Sequence, residues 1–189
     1  AAKRRGDRHA DQAIKIMMNA LYGVLGAAAC RFFDPAIANA ITGFGQEILR
    51  WTSEAFTNAG VRVLYGDTDS VFVELAPADG IAAAALAEAL RERVAGAVAE
   101  RVRAAHGVEP QLVLELEQIY ERFFLPHVRG GSAGSKKRYA GLHGGELEIV
   151  GLESVRRDWP AVARRLQRGM LERLFSDRDP LPFVREVVE

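Results

Sequence analysis

One stretch, "VLYGDTDSVFVEL" at residues 63–75, constrains the fold more than any other. Two runs rich in β-branched and aromatic residues flank Asp67-Thr68-Asp69, so "VRVLYG" and "SVFVEL" read as two strands joined by a tight hairpin. Carboxylates at i and i+2 around such a turn can converge on one side. Two close charges of one sign repel unless a cation sits between them, which makes the pair a metal-site candidate. Mg²⁺ suits the place, because it takes one or two carboxylates, keeps several waters and draws its other ligands from substrate phosphates. The plainer reading is that Asp is a good turn residue, and for an isolated Asp-x-Asp that reading wins more often. Here the apolar strand on each side fixes the turn rigidly, and Tyr65, Gly66 and Ser70 flank it.

Helical periodicity organises much of the remainder. Residues 11–25 read as a helix with Asp11 as N-cap and an apolar stripe of Ile14, Met18, Leu21 and Leu25. On a neighbouring face Lys15, Asn19 and Tyr22 recur at i, i+4 and i+7, the pattern of a helix that serves a core and a ligand together. A second helix opens at Asp34-Pro35 and stops at Gly60, with Ile37, Ile41, Phe44, Ile48, Trp51 and Ala55 expected to pack under a sheet. A third, Ala-rich, spans 81–105 with Leu86, Leu90, Val94, Val98 and Val102 on one side. A strand is expected in "QLVLELEQIYERFFLP" (111–126), a Gly/Ser loop in "RGGSAGS" (129–135), and a strand in "KKRYAGL" (136–142). Another strand comes after the Gly144-Gly145 turn, in "LEIVGLE". Helix returns from Pro160, and Pro180 and Pro182 interrupt the last segment. This order gives an α+β fold, a mainly antiparallel sheet with helices packed on one face.

No apolar run approaches the roughly 20 residues that span a bilayer, and no secretory signal is visible. The lone Cys30, in "GAAACRFF", cannot form an internal disulfide and reads as a small buried hydrophobe, so a reducing, cytoplasmic setting is expected. Four histidines without mutual ligand spacing make a Zn²⁺ site improbable. Net charge is zero, yet it is unevenly spread: residues 1–15 carry five basic and two acidic side chains, 127–143 four basic and no acidic, and 61–125 six basic and eleven acidic. Basic patches around an acidic centre suit a phosphate-rich ligand held against metal ions.

"YGDTDS" at 65–70 resembles motif C of the family B DNA polymerases. "KIMMNALYG" at 15–23 resembles their motif B, Lys-x3-Asn-x2-Tyr-Gly, with Ala20 where Ser is usual. "KKRY" at 136–139 matches their Lys-Lys-x-Tyr motif, and "GLESVRRDW" at 151–159 is similar to their palm-to-thumb junction. The four stand in the family's order over nearly the whole chain, and "ACRFFDP" and "RGGSAGSKKRYAGL" are most similar to its bacterial branch.

The resemblance implies a polymerase palm at 27–150, preceded by the second fingers helix at 1–26 and followed at 151–189 by the junction and helical root of a thumb. It implies template-directed nucleotidyl transfer from deoxynucleoside triphosphates to a primer 3′-hydroxyl, in DNA replication or repair. Two Mg²⁺ ions, for which Mn²⁺ can substitute, would serve in the complete site: one activates the hydroxyl, and the other holds the triphosphate and the leaving pyrophosphate. Asp69 would bridge the metals, Asp67 would support it, and Glu117 in "LELEQ" would lie near them. Lys15 would grip the triphosphate as a third catalytic residue, while Asn19, Tyr22 and Gly23 line the nascent base pair. Lys136, Lys137, Arg138 and Tyr139 would track primer-template DNA, and Arg156 and Arg157 would hold the primer strand. A sliding clamp reached through sequence beyond these residues, a cytoplasmic, nucleoid-associated location and no membrane complete the expectation.

Each role has a plainer competitor: Lys15 as a solvated charge, Tyr22 as a core aromatic, Glu115 and Glu117 as the solvent face of a strand. The family's motif A, Asp-x2-Ser-Leu-Tyr-Pro, supplies the other metal-bridging aspartate and does not occur in these residues. The expectation is therefore a piece of a longer polymerase, inactive or nearly so by itself. Two alternatives stand beside it. One is a non-catalytic nucleic-acid-binding remnant whose basic loop at 129–138 holds DNA. The other is an unrelated Mg²⁺-dependent sugar-nucleotide transferase, against which the Lys15 to Gly23 stripe argues.

Overall fold

A computed structural model describes residues 8–76, 80–127 and 137–189. Its elements are α1 (Arg8–Gly26), α2 (Pro35–Asn58), β1 (Arg62–Asp67), β2 (Ser70–Glu74), α3 (Gly80–His106), β3 (Arg122–Phe124), β4 (Tyr139–His143), β5 (Glu146–Val150), a single 3-10 turn (Glu153–Val155), α4 (Ala161–Phe175) and α5 (Leu181–Val188). The α+β class holds. The chain divides into two compact units, Ala1–Trp51 and Thr52–Glu189, with the boundary inside α2.

In the first unit α1 starts upstream of Asp11, so the expected cap lies inside the helix. Its apolar stripe is no core face: Ile14, Met18 and Leu21 are 48%, 67% and 62% exposed. Asp34 does cap α2. Its Oδ1 accepts from the N–H of Ala36 at 2.9 Å and of Ile37 at 3.3 Å, while Pro35 fills the first helical position, where no donor is needed. The α2 stripe is buried at Trp51, whereas Ile37, Ile41 and Phe44 stand half exposed. Cys30 is only partly buried, and its Sγ accepts the Phe32 N–H at 3.4 Å.

In the second unit α3 buries Leu90, Val94, Val98 and Val102, with Ala87 in place of Leu86, which faces solvent. Arg101 Nη1 meets Glu54 Oε2 at 2.5 Å and Arg93 Nη2 donates to the Ala59 carbonyl at 3.1 Å, tying α3 to the end of α2 and the turn after it. Small residues make the close approach possible: Thr52 lines a narrow cleft with Ala95, Val98 and Ala99.

Two antiparallel sheets replace the single one expected, a β1-β2 ribbon and a β3-β4-β5 sheet. The strand expected at 111–126 contracts to β3. Residues 111–120 alternate like a strand but find no ladder, and the Leu114 carbonyl accepts instead from Arg91 Nη1 at 3.1 Å. The Gly/Ser loop expected at 129–135 lies outside the described residues. β4 and β5 join through Gly144 and Gly145, with φ of +56° and +79°, the two left-handed positions of a type I′ hairpin.

One face of this sheet packs on α4. Ala140, Leu152 and Leu171 form the buried cluster, with Leu147, Ile149 and Phe175 against it. Pro180 and Pro182 open α5 rather than interrupt a helix, as their missing N–H groups allow there. Phe183 of α5 packs over Gly169 of α4, and the Arg173 guanidinium sits 3.7 Å from its ring centroid.

The segment between β5 and α4 is tied twice. Glu153 accepts from Gln167 Nε2 at 2.6 Å and from Arg138 Nη2, and the Ser154 N–H donates to Gln167 Oε1 at 2.6 Å. The Gln167 hydrogen bond, with the Arg138 guanidinium adding to it, holds the Glu153 carboxyl below the usual carboxylate range against the opposing effect of burial. Gly151 has φ +63°, and a Cβ there would fall 1.9 Å from the Lys137 carbonyl oxygen.

Gly151→Ala should therefore destabilise the chain by about 2 kcal/mol or more. Gly96→Ala, inside α3 with open space around it, should stabilise by about 1 kcal/mol. Urea midpoints check both, and an unchanged midpoint for Gly151→Ala would refute the close approach. Because the Glu153 pKa is lowered by folding, its contribution is present above the unfolded value and lost as pH falls through the folded one. Glu153→Gln should accordingly flatten the fall in Tm below about pH 5. A variant whose Tm tracks the wild type through that window would show that another group governs it.

Candidate active site at the β1-β2 turn

The register of β1 slips at Leu64: Val63 pairs with Val73, and Tyr65 already with Phe72. Such a bulge adds one residue and re-aims the side chains after it. Beyond it, the period of two puts Tyr65 and Asp67 on one face. Tyr65 is buried, its ring 5.7 Å from Phe72, which lies 5.3 Å from Phe123 and 5.2 Å from Tyr139. Aromatic packing thus joins two sheets that share no ladder among the described residues. The Tyr65 hydroxyl also accepts the Lys137 N–H at 2.6 Å.

Tyr120 extends the cluster. Its ring lies 5.4 Å from Phe123, and a Cβ on Gly141 would come within 2.2 Å of it. Its hydroxyl donates to Glu148 Oε2 at 2.6 Å, and burial followed by that bond pushes its pKa up. Tyr139 is raised too, first by burial and then by the Glu148 carboxylate, with Glu117 contributing. The Glu117 side chain itself is exposed.

At the turn Asp67 pairs with Ser70, leaving Thr68 and Asp69 between the strands. The Asp69 N–H donates to the Asp67 carbonyl at 2.6 Å, closing a three-residue turn on Thr68, whose φ is +52°. Positive φ at a β-branched residue is strained, and strain of this kind gathers at functional sites. Ser70 Oγ donates to the same carbonyl at 3.2 Å, and Thr68 Oγ1 donates to Asp67 Oδ1 at 3.2 Å. The Asp67 side chain is 22% exposed, with Oδ2 3.6 Å from Lys137 Nζ. The Asp69 side chain is exposed, and its carboxylate has no partner among the described residues.

Among the described residues no three His, Cys, Asp or Glu side chains group to enclose a metal ion. Among the described residues the turn offers oxygen donors alone, one carboxylate without a partner and a second beside an exposed lysine. That donor set fits a Mg²⁺ held by one or two carboxylates and completed by phosphate and water.

The remaining expected residues divide by unit. Lys15, Tyr22 and Gly23 lie exposed on α1, Tyr22 at 42%. Lys136 and the side chain of Asn19 lie outside the described residues. Arg138 is bound to Glu153. Arg156 pairs with Asp158 through Nε at 3.0 Å and Nη2 at 2.6 Å, while Arg157 is exposed with no partner among the described residues. The structure therefore brings Asp67, Lys137 and Tyr139 together around Tyr65. Tyr120, Glu148 and Gln167 have no role in the sequence analysis, and Tyr65 enters it only as a flank of the turn. Only Tyr65 carried a signal, its position two residues before Asp67 on a strand.

The family model of DNA polymerase family B matches residues 7–189. DNA polymerase II of Escherichia coli (strain K12) is 43% identical over 193 residues, which cover 100% of this chain and 24% of that protein. The DNA polymerase of Archaeoglobus fulgidus is 30% identical over 181 residues, covering 94% of this chain and 20% of its own length. The DNA polymerase delta catalytic subunit of Mesocricetus auratus is 32% identical over 185 residues, 89% of this chain and 15% of its own. The chain thus spans a quarter or less of the length of these curated relatives. With the family match running through every motif from Lys15 to Trp159, the chain belongs to family B of the DNA polymerases.

Proposed function

We propose that this chain is the motif B and motif C portion of a DNA-directed DNA polymerase, which extends a primer 3′-hydroxyl from deoxynucleoside triphosphates during DNA replication or repair. The observation that carries the proposal is the exposed carboxylate of Asp69, without a partner among the described residues, on a strained turn between two fixed strands. Residues 1–26 correspond to the second fingers helix, 27–150 to the palm, and 151–189 to the thumb junction and root.

Asp69 and Asp67 would hold the divalent ions, Mg²⁺ or in its place Mn²⁺, with Glu117 nearby. Bound there, such ions supply Lewis-acid activation and charge neutralisation. The chain's own residues position the substrates. Lys15 meets the triphosphate as a point charge, suited to a mobile polyphosphate. Asn19 and Tyr22 line the nascent base pair, and Gly23, with open space around it, lets a base come close to the helix. Lys136, Lys137 and Tyr139 track the primer-template backbone, contacts that position more than they specify. Arg138 serves the same surface indirectly, through its bond to Glu153. Arg156 and Arg157 hold the primer strand.

No Asp-x2-Ser-Leu-Tyr-Pro segment occurs in these residues, so the second bridging carboxylate must come from elsewhere. The chain alone should bind DNA in a salt-dependent way and extend a primer poorly or not at all. Placed in the Escherichia coli polymerase II in exchange for its matching segment, it should restore Mg²⁺-dependent extension. In that chimera Asp69→Asn should lower extension at least about 10²-fold with DNA binding unchanged. A wild-type chimera that folds and binds DNA yet never extends a primer would instead mark a binding remnant.

A further inference from the structure

We propose that Lys137 is a cation shared between the turn and the DNA, so that primer-template binding and divalent-ion binding at Asp67 and Asp69 strengthen each other. The inference rests on the polymerase reading of the turn and adds to it a coupling between two of its ligands.

Two contacts and a left-handed φ define the Lys137 backbone. Its N–H donates to the buried Tyr65 hydroxyl at 2.6 Å, its carbonyl lies against Gly151 where a Cβ would come within 1.9 Å, and its φ is +54°. A non-glycine residue adopts left-handed backbone at a cost, so the surroundings impose this conformation. Its effect is to bring the Lys137 ammonium to Asp67, 3.6 Å from Oδ2. The lysine end of this pair is 71% exposed and the aspartate end 22%. An exposed ion pair of this length is weak, so the ammonium can leave it for a phosphate at little cost.

Arg138, the next residue, cannot take this part, because Glu153 holds its guanidinium. While the Lys137 ammonium stands beside Asp67, it opposes any divalent cation on the same carboxylate. A DNA phosphate that draws the ammonium outward removes that opposition. In return, a divalent ion at the turn releases the ammonium to the DNA. Linkage makes the two effects equal in size.

Mn²⁺ binding to the Escherichia coli polymerase II chimera that carries this chain in place of its matching segment, read from the electron paramagnetic resonance of the free ion, tests the coupling without any turnover. The Asp69-dependent binding is taken as the difference from Asp69→Asn, which also removes Mn²⁺ held by DNA alone. For the wild type, saturating primer-template duplex should tighten it about three- to ten-fold. Lys137→Gln, which keeps the stem and removes the charge, should already bind Mn²⁺ that much more tightly without DNA and gain nothing further with it. A Lys137→Gln chimera with wild-type Mn²⁺ affinity, or with the same gain from DNA, would overturn the inference and leave the polymerase reading standing. If Mn²⁺ binding by the wild type did not depend on Asp69 at all, both would fall.

Discussion

The hydrogen bond from the Lys137 N–H to the Tyr65 hydroxyl is the contact on which the second unit's geometry turns. By itself it is worth about 1 kcal/mol, as most net hydrogen bonds are. Its importance is positional. Among the described residues the β1-β2 ribbon and the three-stranded sheet share no ladder, so no strand pairing there fixes one against the other. Tyr65 supplies that fixing twice, through its ring, packed on Phe72 and so linked to Phe123 and Tyr139, and through its hydroxyl. Once Lys137 is placed, the pairing of Tyr139 with Val150 sets Gly151 against the Lys137 carbonyl and leaves Glu153 within reach of Arg138. Segments around residues 65, 137 and 151 are thereby held at one point.

At that point two neighbouring cations have separate duties. Arg138 has a planar guanidinium, suited to fixed hydrogen bonds, and it is spent on Glu153 at the start of the segment leading to α4. Lys137 has a compact charge on a flexible stem, and it stands exposed beside Asp67. Exchange of the two residue types would put the rigid fork beside Asp67 and the loose charge beside Glu153, which suits neither place.

The parts of the fold legible in the sequence were local. The β1-β2 hairpin, the Asp34 cap and the Gly144-Gly145 turn each depend on residues within a few positions of one another, and each formed as read. The failures were of another kind. Alternation in residues 111–120 is the same whether or not a partner strand arrives, so pattern alone could not tell a ladder from an extended segment. The α1 stripe promised a core, yet burial depends on what covers a face, and Ile14, Met18 and Leu21 remain exposed. Contacts across about seventy residues, such as Lys137 with Tyr65 and Asp67, leave no mark on either segment taken alone. Motif resemblance reached further, since it named both sides of that contact, but it gave Lys137 and Arg138 one shared role where the structure gives them different partners.

The two aspartates of the turn are unequal for a reason already present in the backbone. Asp67 ends a strand, so the pleat fixes its face, and that face is the one Tyr65 shares with Lys137. Asp69 belongs to the turn, where the bond of its N–H to the Asp67 carbonyl holds the backbone and leaves the carboxylate to solvent. A lysine beside Asp67 offsets part of the repulsion that two close carboxylates would otherwise impose on the turn. With the lysine end exposed, that offset is small. Among the described residues this pairing also leaves Asp69 as the carboxylate that a cation can approach without first breaking a side-chain contact.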